Sequence, residues 1–175
     1  STDYRGGSIQ RVDLRSGQVD TLYTHCEGEP LHGPNDLVFD RDGGFYFTCN
    51  GKRREREIDR GGVYYAQPDG SAIREVIFPI PFPNGVGLSP DGATLYVADT
   101  ADGNLYAFAV GAGGALADRR VLTPTAGGPD GLAVDVAGNV FVTTSAGVEV
   151  WSPAGARWGV IPVPEQPANC AFGDA

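Results

Sequence analysis

One motif recurs along this chain: a Pro-Asn or Pro-Asp pair opens a short apolar stretch that ends in a glycine turn. The copies begin at Pro34, Pro83 and Pro129, 49 and then 46 residues apart, and a weaker copy begins at Pro167. Between them lie apolar segments of four to seven residues, separated by Asp-Gly and Pro-Ala-Gly turns. Such a period in a chain of short strands is typical of a β-propeller blade of four antiparallel strands. Since no window shows 3.6-residue periodicity, the predicted fold class is all-β with almost no helix.

Each repeat holds about four of these strands. The chain, residues 1–175, is therefore predicted to be one partial β-propeller domain that is divided into blades. The outer strands of one blade come first, three complete blades follow, and the inner strand of the next blade ends the chain. The predicted boundaries are 1–30, 31–80, 81–126, 127–165 and 166–175. Propellers close into rings, and an open arc would expose apolar blade faces. We therefore expect a piece of a longer protein, with a missing propeller segment or another chain completing the ring.

Composition excludes several partner classes. The formal net charge is −9, with 22 acidic and 13 basic residues, so we expect neither nucleic acid nor a membrane surface as a partner. No apolar run approaches the ~20 residues needed to cross a bilayer. The cysteines, Cys26, Cys49 and Cys170, lack metal-type spacing and are expected to be reduced thiols. A cytoplasmic location is expected, with the periplasm as the alternative.

The residue that follows the proline in each full copy bears a side-chain oxygen: Asn35, Asn84 and Asp130. Inner strands of successive blades run the same way relative to the ring axis, so these side chains should converge at one mouth of the channel. Amide and carboxylate oxygens suit Ca²⁺, Mg²⁺ or Mn²⁺ and can bind Zn²⁺. A metal there can polarise a carbonyl group and activate water. The alternative is that Pro-Asn and Pro-Asp only form turns.

Several stretches, in the same order, resemble the gluconolactonase family, also called the senescence-marker-protein/gluconolactonase/luciferin-regenerating-enzyme family. They are residues 34–40, 44–48, 61–65, 83–92, 95–100 and 129–132. The Gly-Gly-Phe-Tyr-Phe-Thr and Gly-Gly-Val-Tyr-Tyr sequences are most similar to its bacterial lactonase branch. The similarity covers most of residues 33–173.

The resemblance implies a six-bladed propeller that holds one divalent metal ion and acts on lactones, with Ca²⁺ expected before Zn²⁺, Mg²⁺ or Mn²⁺. In the family the metal is held by a first-blade Glu, two Asn and one Asp. Asn35, Asn84 and Asp130 match the last three. By the same analogy Asp130 acts as general base or orients water, while the metal stabilises the oxyanion. Asn35 would also contact the substrate.

The departures from the family pattern concern charge and substrate recognition. The first-blade Glu has no match, because Glu27 lies too close to Asn35, and the site then carries one formal charge instead of two. Gly33 stands where relatives often have an Arg that contacts a substrate hydroxyl, which favours a simpler lactone over a sugar-acid lactone. His32 is a further candidate for substrate binding, with an ordinary loop histidine as the alternative.

We therefore expect a metal-dependent hydrolase that opens a small-molecule lactone or ester. A non-catalytic propeller that binds a ligand or protein partner is the alternative from a different class, since fold does not determine function. Phosphotriester cleavage or a ring-forming condensation on the same platform is a third option. No nucleophile elbow or Ser-His-Asp order indicates covalent catalysis.

Overall fold

The computed structural model describes residues 2–3, 5–52, 54–57 and 59–173. In these residues the chain forms antiparallel sheets in which strand order follows sequence order. The N-terminal sheet has three strands, β1 (Thr2–Asp3), β2 (Ser8–Val12) and β3 (Val19–Tyr23), and a short hairpin follows, β4 (His25–Cys26) with β5 (Glu29–Pro30). The first segment therefore contains β1 and the β4–β5 hairpin in addition to the outer strands expected there, β2 and β3.

Three four-stranded sheets follow, one for each full copy of the motif. Sheet I contains β6 (Pro34–Phe39), β7 (Phe45–Cys49), β8 (Gly61–Ala66) and β9 (Ile73–Ile80). Sheet II contains β10 (Pro83–Leu88), β11 (Thr94–Asp99), β12 (Asn104–Val110) and β13 (Leu116–Pro124). Sheet III contains β14 (Leu132–Val134), β15 (Val140–Thr144), β16 (Gly147–Trp151) and β17 (Arg157–Ile161). The prediction of an all-β chain with four-stranded repeats is confirmed.

Helix is confined, in the described residues, to a single 3-10 turn at Ala112–Gly114 between β12 and β13. None of the helical structure there is long and apolar enough to cross a bilayer. The low helix content follows from the dense turn sequences, which interrupt the chain before a helical apolar face can form.

Alternating side chains explain how the sheets pack. On β7, Phe45 and Phe47 belong to the core shared with the N-terminal sheet, whereas Tyr46 belongs to the core shared with sheet II. On β11, Leu95 joins the core with sheet I, and Tyr96 joins the core with sheet III. Successive residues of a strand point to opposite faces, so an apolar central strand needs a packed neighbour on both sides. The sheets thus stack face to face in sequence order, and β10 lies between β6 and β14.

The end of the chain differs from the sequence prediction. Residues 166–175 were expected to form an inner strand, but their described part, 166–173, contains no strand. A strand needs a ladder of backbone hydrogen bonds, whereas the carbonyl oxygen of Ala168 accepts one backbone N–H among the described residues, that of Gly131 at 2.8 Å, and the Thr143 hydroxyl at 3.2 Å. The segment is also held by the ring of Phe172, which packs edge-on against Phe141 at 5.1 Å between centroids.

Candidate functional site

Each of the first two motif copies starts with an irregularity in strand pairing. In β6, regular pairing with β7 is interrupted between Pro34 and Leu37, and in β10 pairing with β11 is interrupted between Pro83 and Val86. Residues 35–36 and 84–85 are therefore released from the ladder of their own sheet. An irregularity of this kind re-aims backbone and side chains. It directs the polar motif residues toward the neighbouring sheet.

The released backbone groups bond to the next motif copy. The N–H of Gly85 donates to the carbonyl oxygen of Asp130 at 2.9 Å, and the N–H of Gly131 donates to the carbonyl oxygen of Ala168 at 2.8 Å. Each bond runs from the residue after a motif position to the corresponding position of the next copy. Motif positions that lie 46 and 38 residues apart in sequence are thus direct neighbours in space.

Hydroxyl groups make the remaining links between copies. The Thr48 hydroxyl accepts a hydrogen bond from the N–H of Asp36 at 3.2 Å and donates to the carbonyl oxygen of Asn84 at 2.5 Å. In the same way, the Thr2 hydroxyl on β1 donates to the carbonyl oxygen of Asn35 at 2.7 Å. The hydroxyl groups of Thr2 and Thr48 therefore fix the backbone of the motif copy in the following sheet.

Glycine is required where two copies meet directly. A Cβ atom on Gly85 would lie 2.4 Å from the carbonyl oxygen of Asp130, and one on Gly131 would lie 2.2 Å from Oδ1 of Asn169. Both distances are far shorter than real Cβ contacts. The first copy has Asp36 at this place, because the Thr48 hydroxyl separates it from Asn84. The glycines of the motif thus serve close backbone approach rather than a turn alone.

The Asn84 side chain is held in a defined orientation at this junction. It is buried, and Nδ2 donates to the Thr100 hydroxyl at 3.1 Å, while that hydroxyl donates to the carbonyl oxygen of Pro129 at 2.7 Å. Within the described part of the chain, no hydrogen bond engages Oδ1 of Asn84. This oxygen is therefore available to a cation or a substrate.

Two carboxylates share the surroundings of Asn84. Burial raises the pKa of Asp130; the Asn84 side chain opposes this shift, and the charge of Asp36 adds to it. Burial likewise raises the pKa of Asp36, although the N–H groups of Val86 and Leu37 stabilise its charged form from 3.1 and 2.9 Å. A bound cation would offset the desolvation of the two carboxylates and the repulsion between them. This donor set therefore fits a divalent metal.

The predicted site residues are placed as follows. Asn84 and Asp130 lie together, and Asn35 lies at the start of the adjacent strand β6, where its neighbour Asp36 reaches Val86 of the next copy. Over the described residues, no three His, Cys, Asp or Glu side chains converge as a metal cluster. The predicted set contains one carboxylate and two amides, and the absence of such a cluster therefore does not test it. The assignment of Asn35, Asn84 and Asp130 as ligands stays a prediction.

His32 lies outside the Asn84–Asp130 junction. It lines a neighbouring cavity, and its Nδ1 is 3.6 Å from Oδ2 of Asp59. The Asp59 carboxylate is itself paired with Arg54 at 2.6 Å. A substrate-binding role for His32 stays a prediction.

Sequence reasoning overlooked the polar groups that hold the motif copies in place. Asp36 could have been noticed because it stands where the second and third copies have glycine. Thr48 and Thr143 share a position near the end of the second strand, and each donates to a motif carbonyl of the following copy. That recurrence was the available signal.

The chain matches a family model described as the SMP-30/Gluconolactonase/LRE-like region over residues 4–175. The gluconolactonase of Zymomonas mobilis subsp. mobilis is 31% identical over 187 aligned residues, which cover 95% of this chain and 52% of that protein. The chain therefore spans about half the length of this curated relative.

Solved structures agree with this similarity. A gluconolactonase from Xanthomonas campestris matches with a TM-score of 0.83 and 36% identity, over 95% of this chain and 59% of its own. Regucalcin from Agrobacterium tumefaciens, described as a calcium-binding protein, matches with a TM-score of 0.79 and 23% identity, over 94% of this chain and 57% of its own. The second match shows a shared fold.

Proposed function

The chain belongs to the SMP-30/gluconolactonase/LRE-like family, and on that basis we propose that it is part of a divalent-metal-dependent hydrolase that opens a lactone or related carboxylic ester. The stacked sheets I to III are consecutive blades of a six-bladed propeller in this proposal. A further segment of the protein or another chain supplies the remaining blades. The substrate is a small molecule bound at the motif end of the inner strands.

The observation that carries the proposal is the direct junction of the second and third motif copies. The hydrogen bond from Gly85 to Asp130 brings the Asn84 amide beside the Asp130 carboxylate, with Asp36 close enough to influence its pKa. A half-buried carboxylate beside an unengaged amide oxygen is poorly explained by turn formation alone. It is well suited to cation binding and proton transfer.

In the proposed reaction, Asn35, Asn84 and Asp130 supply oxygen atoms to one divalent ion, with Ca²⁺ favoured by an all-oxygen donor set. When bound, the ion supplies Lewis-acid polarisation of the substrate carbonyl. Asp130 accepts a proton from the attacking water, a role that its place beside the Asn84 amide allows. The water oxygen bonds to the carbonyl carbon, the ring C–O bond breaks, and the proton passes to the leaving oxygen. The product is a hydroxy acid.

The test measures lactone hydrolysis by the protein that contains this chain, before and after chelation. We expect chelation to abolish turnover and Ca²⁺ to restore it. Asp130→Asn should lower kcat by at least about a hundredfold while leaving the far-ultraviolet circular dichroism unchanged. Asp20→Asn, a change at an exposed surface ion pair, is the matched control and should retain full activity. Full activity after chelation, or in Asp130→Asn, would contradict the mechanism, and metal-dependent ligand binding without turnover would support the non-catalytic alternative.

A further inference from the structure

A second feature of the molecule is a positively charged cavity next to the first motif copy. Its volume is about 480 Å³, within the range of small-molecule sites, and it lies between the turn after β1, the β4–β5 hairpin and the segment after β7. The side chains of Arg5, His25, His32 and Lys52 line it. Among the described residues no Asp or Glu does. This lining contrasts with a chain whose formal net charge is −9.

The charges of the cavity are not neutralised within the described structure. Neither Arg5 nor Lys52 takes part in an ion pair there. The Asp59 carboxylate borders the lining: Oδ2 lies 3.6 Å from Nδ1 of His32 and accepts the backbone N–H of Lys52 at 3.1 Å. Asp59 is already paired with Arg54 through both oxygens, at 2.6 and 3.3 Å. Asp59 and Glu29 also line an adjacent cavity. An anion entering this cavity would therefore meet unpaired positive charge.

The cavity is shaped by buried backbone and is continuous with the candidate site in sequence. Its wall includes the buried residues Leu31 and Gly33, and the carbonyl oxygen of Gly33 accepts the N–H of Asn50 at 3.0 Å. This bond holds the wall against the end of β7. Pro34 and Asn35 follow Gly33 directly, so the wall of the cavity leads in sequence into the first motif copy.

We propose that this cavity binds an anionic substituent, a carboxylate or a phosphate, carried by the substrate of the hydrolase. The inference rests on the proposed function and narrows its substrate class to lactones or esters with a negatively charged group. Arg5 supplies a planar guanidinium that can bind such an anion through two hydrogen bonds, and Lys52 supplies a point charge. The ring nitrogens of His25 and His32 add hydrogen-bonding groups at the rim. The substrate's reacting carbonyl remains beside Asn35, Asn84 and Asp130.

The first experiment measures anion binding without catalysis. Inorganic phosphate and acetate are titrated separately into the isotope-labelled protein, and backbone amide shifts are followed by NMR. Saturable binding of one of them is expected, with shifts centred on the cavity, and the two titrations distinguish a phosphate site from a carboxylate site. Arg5→Gln and Lys52→Gln should each weaken binding by about tenfold, since each removes a charged hydrogen-bond donor. Arg15→Gln, in an exposed turn, is the matched control and should leave binding unchanged.

The second experiment compares hydrolysis of γ-butyrolactone with that of the same ring bearing a carboxylate. The charged substrate should have a kcat/KM about tenfold higher, and Lys52→Gln should remove that preference whereas Arg15→Gln should keep it. If neither phosphate nor acetate binds saturably and the two rings react equally, the anion site is wrong while the hydrolase proposal stands. If an anion binds at Arg5 and Lys52 but neither ring is opened, the site is supported and the lactonase proposal fails.

Discussion

The backbone N–H of Gly85, in sheet II, donates across 2.9 Å to the carbonyl oxygen of Asp130, which lies two residues before sheet III begins. This bond leaves no space for a side chain between them. It therefore sets how far Asp130 lies from Asn84, which immediately precedes Gly85. The geometry of the candidate site is set by this backbone contact together with the hydroxyl groups of Thr48 and Thr100, which bond to Asn84.

The first prediction concerns this junction. Gly85→Ala should lower the free energy of unfolding by about 1–3 kcal/mol, because overpacking forces the backbone apart. A Cβ would lie 2.4 Å from the carbonyl oxygen of Asp130 and 2.9 Å from the backbone nitrogen of Leu132. Those are main-chain atoms and cannot rotate away. Equilibrium unfolding in urea, followed by tryptophan fluorescence, measures the change.

Gly159→Ala is the control for this prediction. Gly159 lies in β17, and an added Cβ would meet nothing within 4 Å. The substitution should leave stability unchanged or raise it by about 0.5 kcal/mol through the unfolded state. Similar losses in both variants would show that the Gly85 effect reflects backbone flexibility and not the contact with Asp130.

The second prediction tests the hydroxyl link between sheets I and II. Thr48→Val replaces the hydroxyl group by a methyl group and keeps the side chain almost the same shape. The carbonyl oxygen of Asn84 and the N–H of Asp36 then lose their partner. Because Thr48 is fully buried, no water can replace the bond, and a loss of about 1–3 kcal/mol is expected. Thermal or urea unfolding provides the measurement. Thr21→Val, on the exposed face of β3, should have little effect, and an equal loss there would contradict the proposed link.

Much of the fold could be predicted from the sequence because the sheets are local. Strands β14 (Leu132–Val134) and β17 (Arg157–Ile161), for example, each coincide with a short apolar segment bounded by turns. Each four-stranded sheet is a meander of consecutive strands, so its pairing follows from order alone. The prediction from local sequence fails at residues 166–173, because an apolar segment forms a strand only where a neighbouring strand supplies backbone hydrogen bonds.

The candidate site was only partly predictable for a related reason. Repetition identified Asn84 and Asp130 as equivalent positions, and the structure places them side by side. Contacts between copies depend on the separation of stacked sheets, which sequence spacing does not encode. Sequence recurrence marks the position of Thr48, but the partners of its hydroxyl and the contact requirement at Gly85 are visible only in three dimensions. The charge of the cavity depends likewise on segments that are distant in sequence.

The third prediction concerns a buried charge next to the third motif copy. Glu149 is 1% exposed; its carboxylate accepts hydrogen bonds from Arg157 at 2.9 Å and from the N–H of Ala126 at 3.1 Å. Arg157→Ala should lower the free energy of unfolding by about 3 kcal/mol, because it leaves the buried carboxylate uncompensated. Glu149→Gln should cost less, since the remaining Arg157 side chain is 49% exposed and can be hydrated.

Urea unfolding of both variants tests this asymmetry. The matched control is Arg11→Ala, which breaks the exposed pair with Asp20 and should leave stability unchanged. If Glu149→Gln were the more damaging change, the carboxylate would contribute mainly through the turn at Ala126 and not through charge compensation.

The fourth prediction is a pH dependence of stability that originates at Asp99. This side chain is fully buried, Oδ2 has no hydrogen-bond partner in the described structure, and Oδ1 accepts the N–H groups of Phe82 and Ala101, each at 3.1 Å. Burial raises the pKa of Asp99 above its ordinary value of 3.8, and the charge of Asp102 adds to the shift. The folded protein therefore binds more protons than the unfolded chain between these two pKa values. Stability contributed by Asp99 must fall as pH rises through that interval.

Asp99→Asn removes the titration and keeps an oxygen for the same N–H donors. Relative to the wild-type protein, the variant should gain stability as pH rises from below about 3.8 toward 7. Asp135→Asn is the control of opposite sign, since hydrogen bonds from Asn139 lower the pKa of Asp135 and its contribution is lost as pH falls. Urea unfolding of the three proteins across this pH range gives the two difference curves. Difference curves with the same slope for the two variants would show that burial of Asp99 does not control its protonation, and would contradict the prediction.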